Sequence, residues 1–217
     1  MPKENSAITI FFLLSYLLIS FNISIVGYFN WDAYSQIPAT KIKQEIPNKN
    51  RVDYKWSNYT DNKENFTIIY PKEWQIIKNK SDENNQIKYI TIFRSPKENS
   101  TDIFQENIVI SIIKSNINLS NISSSSSSYD IQSIIKKLEA NNKEFKLDNI
   151  SVIGIGNNQS GKSIRYSFTN SGLHFTTEQI FSILKDKIYI FSLLTEQKTF
   201  ENYVPILNTM LKNFKIK

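Results

Sequence analysis

Residues 148–194 decide the fold. They run DNISVIGIG (148–156), NNQSG (157–161), KSIRYSF (162–168), TNSG (169–172), LHFTTEQIFSIL (173–184) and, after Lys185 and Asp186, KIYIFSLL (187–194). The long segments are rich in β-branched and aromatic residues and bounded by Asn, Ser and Gly, the pattern of strands between turns. NNQSG, TNSG and KDK are far too short for a parallel crossover, so each strand must lie antiparallel to the next.

Downstream, TFENYVPILNTMLKNF (199–214) places Tyr203, Leu207, Met210 and Phe214 on one helical face, with Pro205 expected to kink the helix or mark its start. Upstream, YDIQSIIKKLEANNKEF (129–145) puts Ile131, Ile134, Ile135 and Leu138 at helical spacing, and Asp130 can cap that helix. The serine run Ser123–Ser128 before it reads as a linker or exposed cap region. Further back, ENFTIIY (64–70), PKEWQII (71–77), IKYITIF (87–93) and NIVISII (107–113) read as strands, with RSPKENSTDIFQ (94–105) as a loop. Strands, a helix, a four-strand meander and a final helix make an α+β domain: an antiparallel sheet flanked by helices.

The N-terminus is different. No charged residue occurs from Asn5 to Trp31, and the densest part is AITIFFLLSYLLIS (7–20). About 20 apolar residues cross a bilayer, and Tyr28, Phe29 and Trp31 stand where an aromatic belt would lie. The run exceeds a typical signal-peptide core and lacks an A-x-A cut site, so residues 1–31 are expected to be an uncleaved transmembrane anchor, with a cleaved signal segment as the rival. Residues 32–53 carry two prolines and little periodicity and read as a polar tether; residues 54–217 are expected to form the domain. Lys41, Lys43, Lys49 and Arg51 follow the anchor, yet long domains translocate largely regardless of charge. The expected address is the cell membrane, single-pass, with the domain on the extracytoplasmic side.

Composition narrows the chemistry. Net charge is +6 among 217 residues, but the lysines are spread along the chain, which suits a solvated surface better than a nucleic-acid stripe. There are no cysteines, which excludes disulfides, thiolate metal sites and a cysteine nucleophile. His174 is the only histidine, leaving little for multi-imidazole zinc sites or a Ser-His-Asp triad.

One motif invites a nucleotide. GNNQSGKS (156–163) fits the phosphate-loop pattern letter for letter, with Lys162 placed for phosphates and Ser163 for magnesium. That loop works by opening a helix, and here a strand pattern follows, so a hairpin turn with Gly161 at positive φ is expected instead. Glu64, Asp82, Glu83, Asp102 and Glu106 lie in or beside loops. They could offer oxygens to calcium but lack D-x-D-x-D spacing, so solvated surface is expected. Trp56 and Trp74 are expected in or half in the core, and His174 at a surface or cross-strand position. Asn58, Asn65, Asn79, Asn99, Asn118, Asn121, Asn149 and Asn158 each begin an N-x-[ST] sequon and would be open to glycosylation on an exported domain, whereas Asn22 sits inside the apolar run.

NFTIIYPKEWQI (65–76) is similar to the opening of PsbP-like domains, an aromatic-rich strand followed by Tyr-Pro-x-x-Trp. IFRSPKEN (92–99), NIVISII (107–113), GKSIRYSF (161–168), TTEQIFSILKDKIYIFSLL (176–194) and FENYVPILNTMLKNFKI (200–216) continue the resemblance across residues 54–217. The resemblance implies an α/β/α sandwich around an antiparallel sheet. The family's best-known members are extrinsic lumenal subunits of photosystem II that assist calcium and chloride retention. The anchor and the serine run depart from that type, and the Asn, Lys and Ile content suits a non-photosynthetic, archaeal-type membrane-anchored member. The fold is carried over and the photosynthetic role is not. The family supplies no catalytic residues to map, so no catalytic, cofactor or metal residue is assigned. The function expected is a non-catalytic binding or assembly module beside a membrane protein complex; the alternative is an enzyme binding nucleotide at Gly156–Ser163.

Overall fold

The computed structural model describes residues 54–80, 87–100, 102–114, 131–184 and 187–217. The N-terminal apolar segment, the tether, Asp82, Glu83, Asn118, Asn121, the serine run and Asp130 lie outside the described residues. Among the described residues no helix is long and apolar enough to cross a membrane.

The chain forms β1 (Trp56–Asp61), β2 (Phe66–Pro71), β3 (Gln75–Lys80), β4 (Ile87–Arg94), β5 (Asn107–Lys114), α1 (Ile131–Asn141), β6 (Lys143–Ile155), β7 (Gln159–Asn170), β8 (Leu173–Leu184), β9 (Lys187–Glu196), α2 (Phe200–Lys212) and β10 (Lys215–Ile216). Seven strands make one sheet in the order β3-β4-β5-β9-β8-β7-β6, and β1-β2-β10 make a second, smaller one. Every pairing is antiparallel. The expected single sheet is therefore two: among the described residues β2 pairs with β1 and not with the large sheet, and β10 returns after α2 to pair Lys215 with Thr67 and Ile216 with Phe66.

Strand alternation sends side chains to both faces of the large sheet, and each face needs a cover. On one face, Ile134 and Leu138 of α1 join Ile92, Val109, Ile164, Tyr166, Phe181 and Ile190 in a buried cluster. On the other, α2 and the small sheet meet Phe93, Ile110, Phe191 and Leu193. Phe214 is the hub there: its ring lies 5.0 Å from Phe191, 5.4 Å from Tyr189 and 5.5 Å from Phe66, between centroids. Tyr203, Leu207 and Met210 are buried with it, as the helical spacing required. Trp74 is buried and Trp56 half-buried, again as expected.

Several boundaries differ from the sequence reading. The final helix stops at Lys212, so Phe214 lies beyond it, and PKEWQII is split, with Pro71 ending β2 and β3 starting at Gln75. Helix α1 ends at Asn141, and Lys143–Phe145 already belong to β6. Helix α2 starts at Phe200, ahead of Pro205, so the proline does not mark its beginning.

Candidate functional site

The phosphate-loop letters fall on a β-hairpin. Ile155 pairs with Gln159 around the turn Gly156–Asn158, and Ser160–Ser163 are already in β7. A phosphate cradle needs successive amides at the start of a helix, whereas here they enter a sheet ladder. The Gly156 amide donates to the Leu211 carbonyl at 2.8 Å, which ties the turn to the end of α2. Positive φ falls on Gly156 (54°) and Asn158 (69°), not on Gly161 as expected. Gly161 is glycine for another reason. A Cβ there would stand 2.6 Å from Ile180 Cγ2 and 3.0 Å from the Phe181 carbonyl oxygen.

Ser163 is buried, and its hydroxyl donates to Glu178 Oε1 at 2.6 Å. Arg165 Nη2 reaches Glu178 Oε2 at 3.1 Å, and the guanidinium lies 4.7 Å over the Phe200 ring. This cluster fixes the start of α2 on strands β7 and β8.

A second polar cluster closes the same end of α2. Glu106, just before β5, is 2% exposed, and its Oε1 accepts from Thr199 Oγ1 at 2.8 Å. Thr199 precedes α2 but makes no side-chain cap bond to it, because its hydroxyl faces Glu106 and the Glu196 carbonyl. Ser95 Oγ lies 3.4 Å from Glu106 Oε2, and its amide donates to the Glu106 carbonyl at 2.8 Å. Burial raises the Glu106 carboxyl above its ordinary value; the Thr199 hydrogen bond opposes this, while Glu98 and Asp102 add to it. Burial also raises the Tyr203 phenol, with Glu106 adding repulsion and a hydrogen bond to Ser95 opposing.

The acidic residues flagged from sequence separate in space. Glu64 and Glu106 are buried, not solvated as expected, because each finds a partner across the fold. Glu64 accepts from Lys187 Nζ at 3.0 Å, beside Asp61, which accepts from Tyr59 Oη and the amides of Lys63 and Glu64. Asp102 staples its loop by accepting from the amides of Glu98 and Phe104. Among the described residues no three His, Cys, Asp or Glu side chains group to hold a metal. His174 is exposed, with Nδ1 3.1 Å from Thr169 Oγ1 across the β7–β8 pair.

Glu178 and Thr199 were not singled out from sequence. A signal for Glu178 existed: once Asn170 pairs with Leu173, residues whose numbers sum to 343 face one another (170 + 173, 165 + 178), so the turn sets Arg165 against Glu178. No comparable signal marks Thr199, whose partner is 93 residues away.

No curated protein sequence matches the chain. Among solved structures, the fold is similar to cyanobacterial PsbP (CyanoP) from Synechocystis sp. PCC 6803, at 15% identity and TM-score 0.50, covering 77% of this chain and 95% of that one. PA94 of Pseudomonas aeruginosa, a protein of unknown function, aligns at 18% identity and TM-score 0.42 over 69% of this chain and 89% of its own. LpqN of Mycobacterium tuberculosis, involved in cell envelope biogenesis, aligns at 10% and 0.43 over 76% and 92%. The PsbP family model matches residues 54–216, and the chain belongs to the PsbP family.

Proposed function

We infer that this chain is a membrane-tethered PsbP-like domain on the extracytoplasmic side, acting as a non-catalytic binding or assembly module beside a membrane protein complex. The observation that supports this most is what the buried acids do. Glu64, Glu106 and Glu178 each hold one element of the fold to another, through Lys187, Thr199 and the Ser163–Arg165 pair. An arrangement of that kind serves rigidity, which a docking scaffold needs. The address rests on the charge-free run from Asn5 to Trp31, long enough to span a bilayer. On the extracytoplasmic side, the exposed Asn58, Asn65, Asn99 and Asn158 would be the glycan acceptors.

The test is protease treatment of intact cells, followed by crosslinking in native membranes and isolation of the chain. The domain is expected to be digested from outside and to bring down a second membrane polypeptide. Protection in intact cells, with digestion after lysis, would overturn the address. Recovery of the chain with no other polypeptide would overturn the assembly role.

A further inference from the structure

Strand β6 is the outer strand of the large sheet and has β7 as its only neighbour among the described residues. Its sequence divides in two. KEFKLD (143–148) carries Lys143, Glu144, Lys146 and Asp148 and both register shifts, between Lys143 and Lys146 and between Leu147 and Asn149. Charges and bulges are the devices that keep a sheet edge from pairing. NISVIGI (149–155) has no charge, proline or irregularity, and it pairs continuously with Arg165–Gln159. One half of the edge is guarded and the other is open.

The open half is also apolar. The exposed large hydrophobics of the described fold are Ile103, Leu147, Ile150 and Val152; Ile150 and Val152 lie in the open half of β6 and Leu147 just before it. Leu147, Ile150 and Val152 stand opposite Tyr166, Ile164 and Lys162, on the face that α1 covers elsewhere. The bulge between Leu147 and Asn149 brings Leu147 and Ile150, three apart in sequence, onto that face together.

The strand fits itself. In antiparallel register about Val152, Val152 meets its own copy, Ile150 meets Gly154 of the partner, and Asn149 meets Ile155. A large side chain then lies over a residue that has none. Nothing stands within 4 Å of a Cβ built on Gly154, so the space that Ile150 of a second copy would enter is open. No charge faces a like charge anywhere in Asn149–Ile155. A two-fold interface asks one surface to complement itself, and this stretch does.

We propose that the open half of β6 is a homodimer interface, in which Asn149–Ile155 of two copies pair antiparallel about a two-fold axis at Val152 and join two seven-stranded sheets into one. Full-length protein in detergent tests it by sedimentation equilibrium. The wild type is expected at twice the chain mass, and Val152→Lys, which sets two ammonium groups against each other at the axis, at the monomer mass with an unchanged circular dichroism spectrum. Gly154→Val, which fits the open space of one copy but fills the place of Ile150 from the other, should also weaken the dimer. The chain lacks cysteine, so Val152→Cys in native membranes should form a disulfide-linked dimer under mild oxidation far faster than Ile103→Cys, at the other exposed apolar site. A wild type at monomer mass, a dimer indifferent to Val152→Lys, a Val152→Cys crosslink no faster than that of Ile103→Cys, or a crosslink to a different polypeptide would each overturn the proposal.

Discussion

At the scale of single residues, the β6–β7 hairpin shows which glycine roles can be read from sequence. Turn letters around 156–161 announce a reversal, but which glycine turns depends on register, and register is set by both strands together. Gly156 takes the positive φ, while Gly161 yields space to Ile180 and Phe181 on the neighbouring strand β8. Gly161→Ala therefore tests crowding and not backbone strain. Its Cβ would stand 2.9 Å from Ile155 Cδ1 and 2.6 Å from Ile180 Cγ2, and a backbone carbonyl closes the third side. Overpacking of this kind costs about 1–3 kcal/mol, so the urea midpoint should fall with no change in slope. An unchanged midpoint would show that the strands part without penalty.

At the scale of elements, the buried face of α2 was legible and its seating was not. Tyr203, Leu207 and Met210 follow from a 3.6-residue period, a purely local property, whereas Phe214, expected on the same face, lies past the helix end at Lys212. The polar contacts that seat the helix start reach back to Ser95 and Glu106 and across to Arg165 and Glu178, and no local pattern encodes them. The same reason hid β10: two residues carry no period, and only the turn after Lys212 brings them to β2. The Glu106 contact has a consequence for pH. Its carboxyl is raised in the fold, so the protonated form is the one the fold favours. The stabilisation is complete below the ordinary carboxylate value of 4.5 and is lost as pH rises through the raised value. The charged groups facing it are Glu98, Asp102 and Lys198, with the Tyr203 phenol beside them. Thermal midpoints should therefore decline as pH rises through this range. Glu106→Gln keeps an acceptor for Thr199 and removes the charge, so its midpoint should decline less. Equal slopes for the two proteins would show that Glu106 carries no part of the pH dependence.

At the scale of the whole molecule, the charge-free N-terminal run and the described fold sit in separate parts of the chain. Residues 1–31 hold the apolar run, and every described element lies at or beyond Trp56. The domain's first contacts are made at once: the Lys72 amide donates to the Lys55 carbonyl at 2.7 Å, and Tyr54 packs edge-on against Trp56. β1 then pairs with β2 along its full length, and Tyr59 closes over Phe66 and Phe93. The described fold begins at Tyr54, where the family match also begins. A chain starting at Tyr54 is expected to stay soluble without detergent and to unfold in one cooperative transition, followed by circular dichroism and tryptophan fluorescence together. A chain starting at Phe66 loses β1, leaves one edge of β2 without its partner and uncovers the Phe66 and Phe93 rings, so it should aggregate or lose cooperativity. If the Tyr54 chain behaved like the Phe66 chain, residues before Tyr54 would have to be part of the fold itself, and a tether there could not leave the domain free to reach a partner.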